Sequence, residues 1–171
     1  MDLLFENQTQ TTKKLLEEFT KESYYAFNKK TRMVCLIMFI VEAFAFILGF
    51  VYFGFNFSMQ LFFLLFLAVF FLFFYFKGYV FKLQENLKSL ESIHGELPHA
   101  INKFYEVNIE TITNRSNLTF EYNKITNVLE TENLFIIMVG KRGLYLSKKG
   151  FTVGDFSDFK NFIENKINSK N

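Results

Sequence analysis

Few residues in this chain stand at spacings that chemistry requires. His94 and His99 are the only histidines among 171 residues. They straddle Gly95 and Pro98, so they share no helix face, and no carboxylates flank them at ligand spacing. Cys35 is the only cysteine, which excludes a disulfide framework and a cysteine metal site. Its place at the start of an apolar run fits a packed thiol. No Ser/His/Asp order, nucleophile elbow, P-loop or Gly-x-Gly-x-x-Gly run is present. The adjacent carboxylates Glu17 and Glu18 fall on a solvated helix face. The expectation is a protein with no catalytic set, no metal and no cofactor.

Two other groups of charges carry more information. Glu42 is the only formal charge between Val34 and Phe76. It lies roughly 12 Å into an apolar helix that starts at Val34. A charge at that depth costs at least ~2.5 kcal/mol, so a polar contact inside the membrane is expected there, to a neighbouring helix or a second copy. Lys141 and Arg142 read as a hairpin tip, with Lys148 and Lys149 ending the next strand. On a strand pair these four are expected within about 15 Å of one another. Near an anionic leaflet each gains ~1 kcal/mol, so they form the candidate lipid or partner contact. An inositol-phosphate pocket needs more basic residues converging on one loop. Net charge is only +2, so no bulk field recruits nucleic acid. Four N-x-Ser/Thr triplets, at Asn7, Asn56, Asn114 and Asn117, are expected by chance in an Asn-rich chain.

The elements that must position these groups begin with two apolar runs, Val34–Phe55 and Met59–Phe76, separated by Asn56-Phe57-Ser58. As helices they reach roughly 27–33 Å, about one hydrocarbon thickness. Lys29, Lys30 and Arg32 precede the first; Lys77, Lys82 and Lys88 follow the second; the turn has no Lys or Arg. The positive-inside rule then places both termini in the cytoplasm of a multi-pass protein. Gly49 and Gly54 permit close helix approach, but five residues apart they form no GxxxG stripe.

Four segments follow from the pattern. Residues 1–32 read as a short strand at Leu3-Leu4-Phe5, then an amphipathic helix over Lys13–Asn28 capped by Thr11 or Thr12. Residues 33–77 are the transmembrane hairpin. Residues 78–99 are a juxtamembrane helix and linker, with a seam of Val80, Leu83, Leu87 and Leu90 that pairs two chains or packs on the Lys13–Asn28 helix. Residues 100–171 change period. Tyr105–Ile109, Leu118–Tyr122, Ile125–Leu129, Leu134–Val139 and Leu144–Leu146 read as antiparallel strands separated by turn-like clusters. A C-terminal helix capped by Asp155 presents Phe156, Phe159, Ile163 and Ile167 on one stripe. The expected class is an α+β membrane protein: a two-helix hairpin with a small curled sheet of five to seven strands, outlined like a pleckstrin-homology (PH) barrel with its covering helix.

Several short motifs occur in a recognisable order. Leu16-Glu17-Glu18-Phe19 comes first, then the two apolar runs. Leu118-Thr119-Phe120-Glu121-Tyr122-Asn123-Lys124-Ile125 follows, then Val128-Leu129-Glu130-Thr131-Glu132-Asn133, and last Leu146-Ser147-Lys148-Lys149-Gly150-Phe151. In this the chain resembles the YcxB-like family of small bacterial membrane proteins. It departs at Tyr122, where the family has Trp, at Asn123, where it has an acid, and at Ser147, where it has Pro. The resemblance implies a cytoplasmic PH-like domain on the bacterial inner membrane and adds little on chemistry.

The expected function is therefore a non-enzymatic membrane protein that holds a PH-like domain at the cytoplasmic face, for protein or lipid binding. Two alternatives stand beside it: an envelope immunity or stress protein against membrane-active peptides, and a small oligomeric transporter or channel with Glu42 on its path. Expected partners are the bilayer, a protein, or a further copy of the chain.

Overall fold

Alternation in Leu3–Gln10 makes the first strand, β1. Phe5, Asn7 and Thr9 fall on one face and Glu6, Gln8 and Gln10 on the other, the period of a pleated strand. In the computed structural model, which describes residues 2–53, 59–94, 97–140 and 142–168, four helices follow. They are α1 (Lys13–Phe27), α2 (Lys29–Phe53), α3 (Met59–Lys77) and α4 (Tyr79–His94). Then come β2 (His99–Tyr105), β3 (Asn108–Thr113), β4 (Ser116–Glu121), a 3-10 turn (Tyr122–Lys124), β5 (Ile125–Glu130), β6 (Leu134–Val139), β7 (Arg142–Ser147), β8 (Phe151–Val153) and α5 (Phe156–Asn168). The turn residues Asn56-Phe57-Ser58, with Gly54, Gly95 and Lys141, lie outside the described residues, as does the His94 side chain.

The architecture is α+β with open antiparallel sheets. Among the described residues there are eight strands, in two sheets ordered β4-β3-β2-β1-β8 and β5-β6-β7. Seven of them, β2 to β8, make up the C-terminal part, within the five to seven expected there, and the N-terminal strand read at Leu3-Leu4-Phe5 joins them as β1. β1 pairs with β2 from Leu3↔Tyr105 to Gln10↔His99, and with the short β8 at Glu6↔Val153 and Asn7↔Phe151. All four long helices therefore lie in the chain between two strands that are hydrogen-bonded neighbours.

The chain forms two compact units: Met1–Ser23 with Leu83–Asn171, and Tyr24–Lys82. The 1–32 segment drawn from sequence is thus shared between them, and the boundaries fall inside α1 and α4.

In the first unit the core lies between the sheets and α5. Phe104, Ile109, Phe135, Ile137, Leu146, Phe159 and Ile163 are all buried there. Phe159 is its hub, with ring centroids 4.5 Å from Phe104, 5.5 Å from Phe5 and 5.7 Å from Phe135. The helix that supplies it is capped as expected: Asp158 N donates to Asp155 Oδ1 at 2.9 Å. A second cluster sits on the far face of the β5-β6-β7 sheet, where Leu134, Ile136 and Met138 meet Leu15 and Phe19 of α1. Both faces of β6 are covered, so its sequence is a continuous apolar run. α1 can lie this close because position 143 is glycine: a Cβ there would stand 2.5 Å from the Phe19 ring. Its first turn is capped by Thr12, whose hydroxyl accepts from Leu15 N at 3.2 Å. α4 touches α1 through Asn86 Nδ2, which donates to Thr20 Oγ1 at 3.2 Å.

In the second unit α2 and α3 run in opposite directions, with Gly49 against Leu61 and Arg32 against Tyr75. Both are long and apolar enough to cross a membrane, and in their apolar stretches only 6% and 11% of the residues are buried. Large side chains such as Phe44, Ile47, Phe62, Phe66 and Val69 are more than half exposed.

Candidate functional site

Of the four candidate basic residues, Arg142, Lys148 and Lys149 are described and Lys141 lies outside the described residues. Arg142 opens β7 and Lys148 follows its end, with Lys149 next. Six steps of strand separate Arg142 from Lys148, or ~20 Å, rather than the 15 Å expected. An antiparallel pair brings its tip and its far ends no closer than one strand length. Arg142 and Lys149 are exposed.

Lys148 is already engaged. Its ammonium bonds Glu130 Oε1 at 2.8 Å, while Lys160 of α5 bonds the other oxygen at 2.7 Å. It also lies 5.1 Å from the centre of the Phe156 ring. Glu130 thus ties β5, the end of β7 and α5 together. The hydrogen bonds from Lys148 and Lys160 hold its carboxyl below the usual carboxylate range.

Glu42 lies on the face of α2 turned to α3. Cys35, Phe39, Glu42, Phe46 and Gly49 recur at helical spacing and each is partly buried. Among the described residues no hydrogen bond or ion pair reaches the carboxylate of Glu42. His99 sits on β2, and no three His, Cys, Asp or Glu side chains gather as metal ligands among the described residues.

The structure instead joins two motifs that are distant in sequence. Glu18, from Leu16-Glu17-Glu18-Phe19, accepts hydrogen bonds from Asn133 N at 2.9 Å, Asn133 Nδ2 at 3.0 Å and the Thr131 hydroxyl. Thr131 and Asn133 form the turn between β5 and β6, where Thr131 N also donates to Leu134 O at 2.9 Å. Phe19, the next residue of the same motif, stacks on Tyr145 with centroids 5.0 Å apart. Burial pushes the Glu18 carboxyl up, but these three hydrogen bonds and the nearby Lys14 outweigh it, and the net shift is downward.

Sequence reasoning also missed a buried polar row. Asn7, Thr9 and Asn102 are fully buried. Asn7 Nδ2 donates to Ser147 O at 2.8 Å, and Asn7 Oδ1 accepts from Thr9 Oγ1 at 2.7 Å. Thr9 Oγ1 in turn accepts from Ser147 N at 2.9 Å. The row therefore fastens β1 to the end of β7. The available signal was the inward register of β1, Phe5-x-Asn7-x-Thr9-x-Thr11, which turns from apolar to polar.

Asn102 stands opposite both Asn7 and Thr111 in the ladder, yet neither atom of its amide has a partner, nor does the buried Thr111 hydroxyl. A buried amide left unpaired costs about 1–3 kcal/mol. Asn102→Leu, close in volume, is therefore expected to raise stability by about 1–2 kcal/mol. Chemical denaturation of the two forms measures it; a loss of that size would show that the amide is partnered.

Tyr122 closes the other end of the core. Its hydroxyl donates to Tyr105 O at 2.7 Å, and its ring packs edge-on against Phe162 at 5.5 Å. Burial, with Glu106 nearby, raises its pKa well beyond the usual tyrosine range. Tyr122 thus has its large ring inside and its polar tip bonded at the rim.

Residues 104–163 match the family model described as YcxB-like protein, which bears out the resemblance read from the motifs. The match covers about a third of the chain and begins inside β2, after β1 and the four long helices. No curated protein matches the chain. No solved structure matches it either.

Proposed function

We propose that this protein, whose residues 104–163 are YcxB-like, is a non-enzymatic protein of the bacterial inner membrane. Its α2–α3 hairpin spans the bilayer with both termini cytoplasmic, and its sheets and α5 form a PH-like domain that binds a protein or lipid there. The observation that carries the reading is the outward-facing apolar surface of α2 and α3, in whose apolar stretches only 6% and 11% of the residues are buried. A soluble protein does not leave surface of this extent and uniformity in water. In hydrocarbon the same two helices satisfy their own backbone and expose what lipid prefers.

The orientation rests on one end of the hairpin. Lys29, Lys30, Arg32 and Lys77 cluster there with Tyr25, Tyr75 and Tyr79, a basic and aromatic rim of the kind found at the cytoplasmic interface. The PH-like reading rests on topology. Four consecutive antiparallel neighbours, β1 to β4, precede a three-stranded β5-β6-β7 meander, and a C-terminal helix plugs the core between them.

Membrane preparations and site-specific cysteine labelling test this. In a Cys35→Ser background the protein is expected to stay with the membrane through alkaline carbonate washing. Gln60→Cys should react with an impermeant maleimide in intact spheroplasts, and Asn114→Cys only after lysis. A protein released by carbonate, or Asn114→Cys labelled from outside, would end the reading.

A further inference from the structure

We propose that Arg32 is a preformed site for the phosphate of an anionic membrane lipid. The proposal rests on the membrane reading above and adds a ligand and a residue that bears it.

Arg32 lies in the first turn of α2. Its guanidinium carbon is 4.3 Å from the centre of the Tyr25 ring and 4.6 Å from that of Tyr75. Its Nε donates to the Tyr75 carbonyl at 3.4 Å. The clamp is itself fixed: the Tyr25 hydroxyl donates to Phe76 O at 3.0 Å, and the Tyr25 ring meets Tyr79 edge-on at 6.4 Å. Three consecutive parts of the chain, the end of α1, the start of α2 and the end of α3, thus hold one guanidinium plane. The rotamer entropy that an arginine loses on binding is already lost here.

The clamp uses the faces of the fork and one of its five donors. No described carboxylate pairs with the remaining donors on Nη1 and Nη2. Within this compact unit cations outnumber acids. From Tyr24 to Lys82 the cations are Lys29, Lys30, Arg32, Lys77 and Lys82, against one acid, Glu42. Glu42 is ten residues along α2, or ~15 Å away. A rigid, uncompensated, planar fork matches a phosphate in bidentate fashion, which a mobile lysine does not. Its depth selects the source. Arg32 stands where the apolar stretch of α2 begins and Tyr75 where that of α3 ends, the level of lipid headgroups. The surplus of cations repels a headgroup that carries its own positive amine and favours one that does not.

The test uses the full chain in lipid nanodiscs, with unfolding followed by circular dichroism. One set of discs is phosphatidylcholine; the other is one-third phosphatidylglycerol. The wild-type midpoint is expected to rise by several degrees in the anionic discs. Arg32→Gln and Arg32→Lys should each lose most of that rise, while Lys124→Gln, in the other compact unit, keeps it. Because Arg32→Lys keeps the charge, its loss separates fork geometry from general attraction. Tyr25→Phe, which keeps the ring but not its bond to Phe76 O, should lose part of the rise and covers the case in which Arg32→Gln fails to fold. An equal rise in wild type and Arg32→Gln overturns the proposal, and so does a full rise in Arg32→Lys. Millimolar inorganic phosphate that reproduces the rise in neutral discs assigns the site to a free anion and overturns the lipid. A chain that never enters discs defeats the membrane reading itself, an outcome distinct from these.

Discussion

A chain that lacks residues 2–10 is expected to leave its YcxB-like segment unfolded. The segment matched by the family model starts at Phe104, but the sheet it builds is completed from the other end of the chain. β1 lies between β2 and β8, so its loss leaves two unpaired strand edges inside the sheet. It also removes Phe5 from between Phe159 and Phe162, at 5.5 and 5.4 Å. Ser147 N loses its acceptor on Thr9, Ser147 O its donor on Asn7, and Gly150 O its donor on Gln8 N at 2.7 Å. The truncation of Phe5 alone to Ala should cost about 3–5 kcal/mol. A small domain holds only about 5–15 kcal/mol in total, so removal of the whole strand exceeds what it can lose. Residues 97–171 expressed alone should therefore give collapsed, poorly dispersed amide spectra, and a peptide of residues 2–27, which carries β1 and α1, added in trans should restore dispersion. Cooperative unfolding of the isolated 97–171 fragment would refute this. Gly150→Val probes the same seam in the full chain, because a Cβ there would stand 2.3 Å from Gln8 O.

That dependence was not legible in the sequence, for a physical reason. Alternation declares a strand but not its partner, and β1 finds its neighbour about ninety residues away, past four helices. The local signals served well where local physics decides. The uninterrupted Leu134–Val139 run is central because both its faces are covered, and the Phe159 stripe of α5 enters the core as its period demands. They misled where two registers join. Tyr105, Val107 and Ile109 alternate as one strand, yet the chain reverses at Glu106-Val107, with Phe104 opposite Ile109. A two-residue tip inverts the parity of alternation, so that Phe104 and Ile109 share the buried face and Tyr105 does not; neither tip residue is Gly or Asn, so nothing marked the turn. β8 has only three residues, too few to show a period. Arg142 and Lys148 open and follow the same strand, so they stand a strand length apart, and Lys148 answers to Glu130, eighteen residues earlier.

Glu18→Ala is expected to destabilise the first unit by about 2–4 kcal/mol, by removing the acceptor that three donors share on one turn. The carboxylate serves Thr131 Oγ1, Asn133 N and Asn133 Nδ2 at once, and only the Thr131 hydroxyl has a second acceptor, Leu134 O at 3.2 Å. Glu18→Gln keeps the size and one acceptor, but turns a donor toward a donor, so it should recover only part of the loss. The pH dependence follows from the downward shift of the Glu18 pKa. A carboxyl more acidic in the folded than in the unfolded chain adds stability in full above the unfolded value, near ~4.3. That contribution fades as pH falls through the lower folded value, where the bound form takes up its proton. Wild type should therefore lose stability steeply below about pH 4, and Glu18→Gln less steeply. The slope should flatten rather than vanish. Glu130, held by Lys148 and Lys160, and Glu6, held by Gln8 and Thr152, are depressed in the same direction. Unfolding midpoints of the two forms across that range decide the matter, and parallel curves would remove Glu18 from the clasp. The wider consequence is for α1. The residue that caps the β5–β6 turn also carries Phe19 onto Tyr145, so the same substitution should expose Met138 and Ile136, and hydrogen exchange along β6 should rise with it.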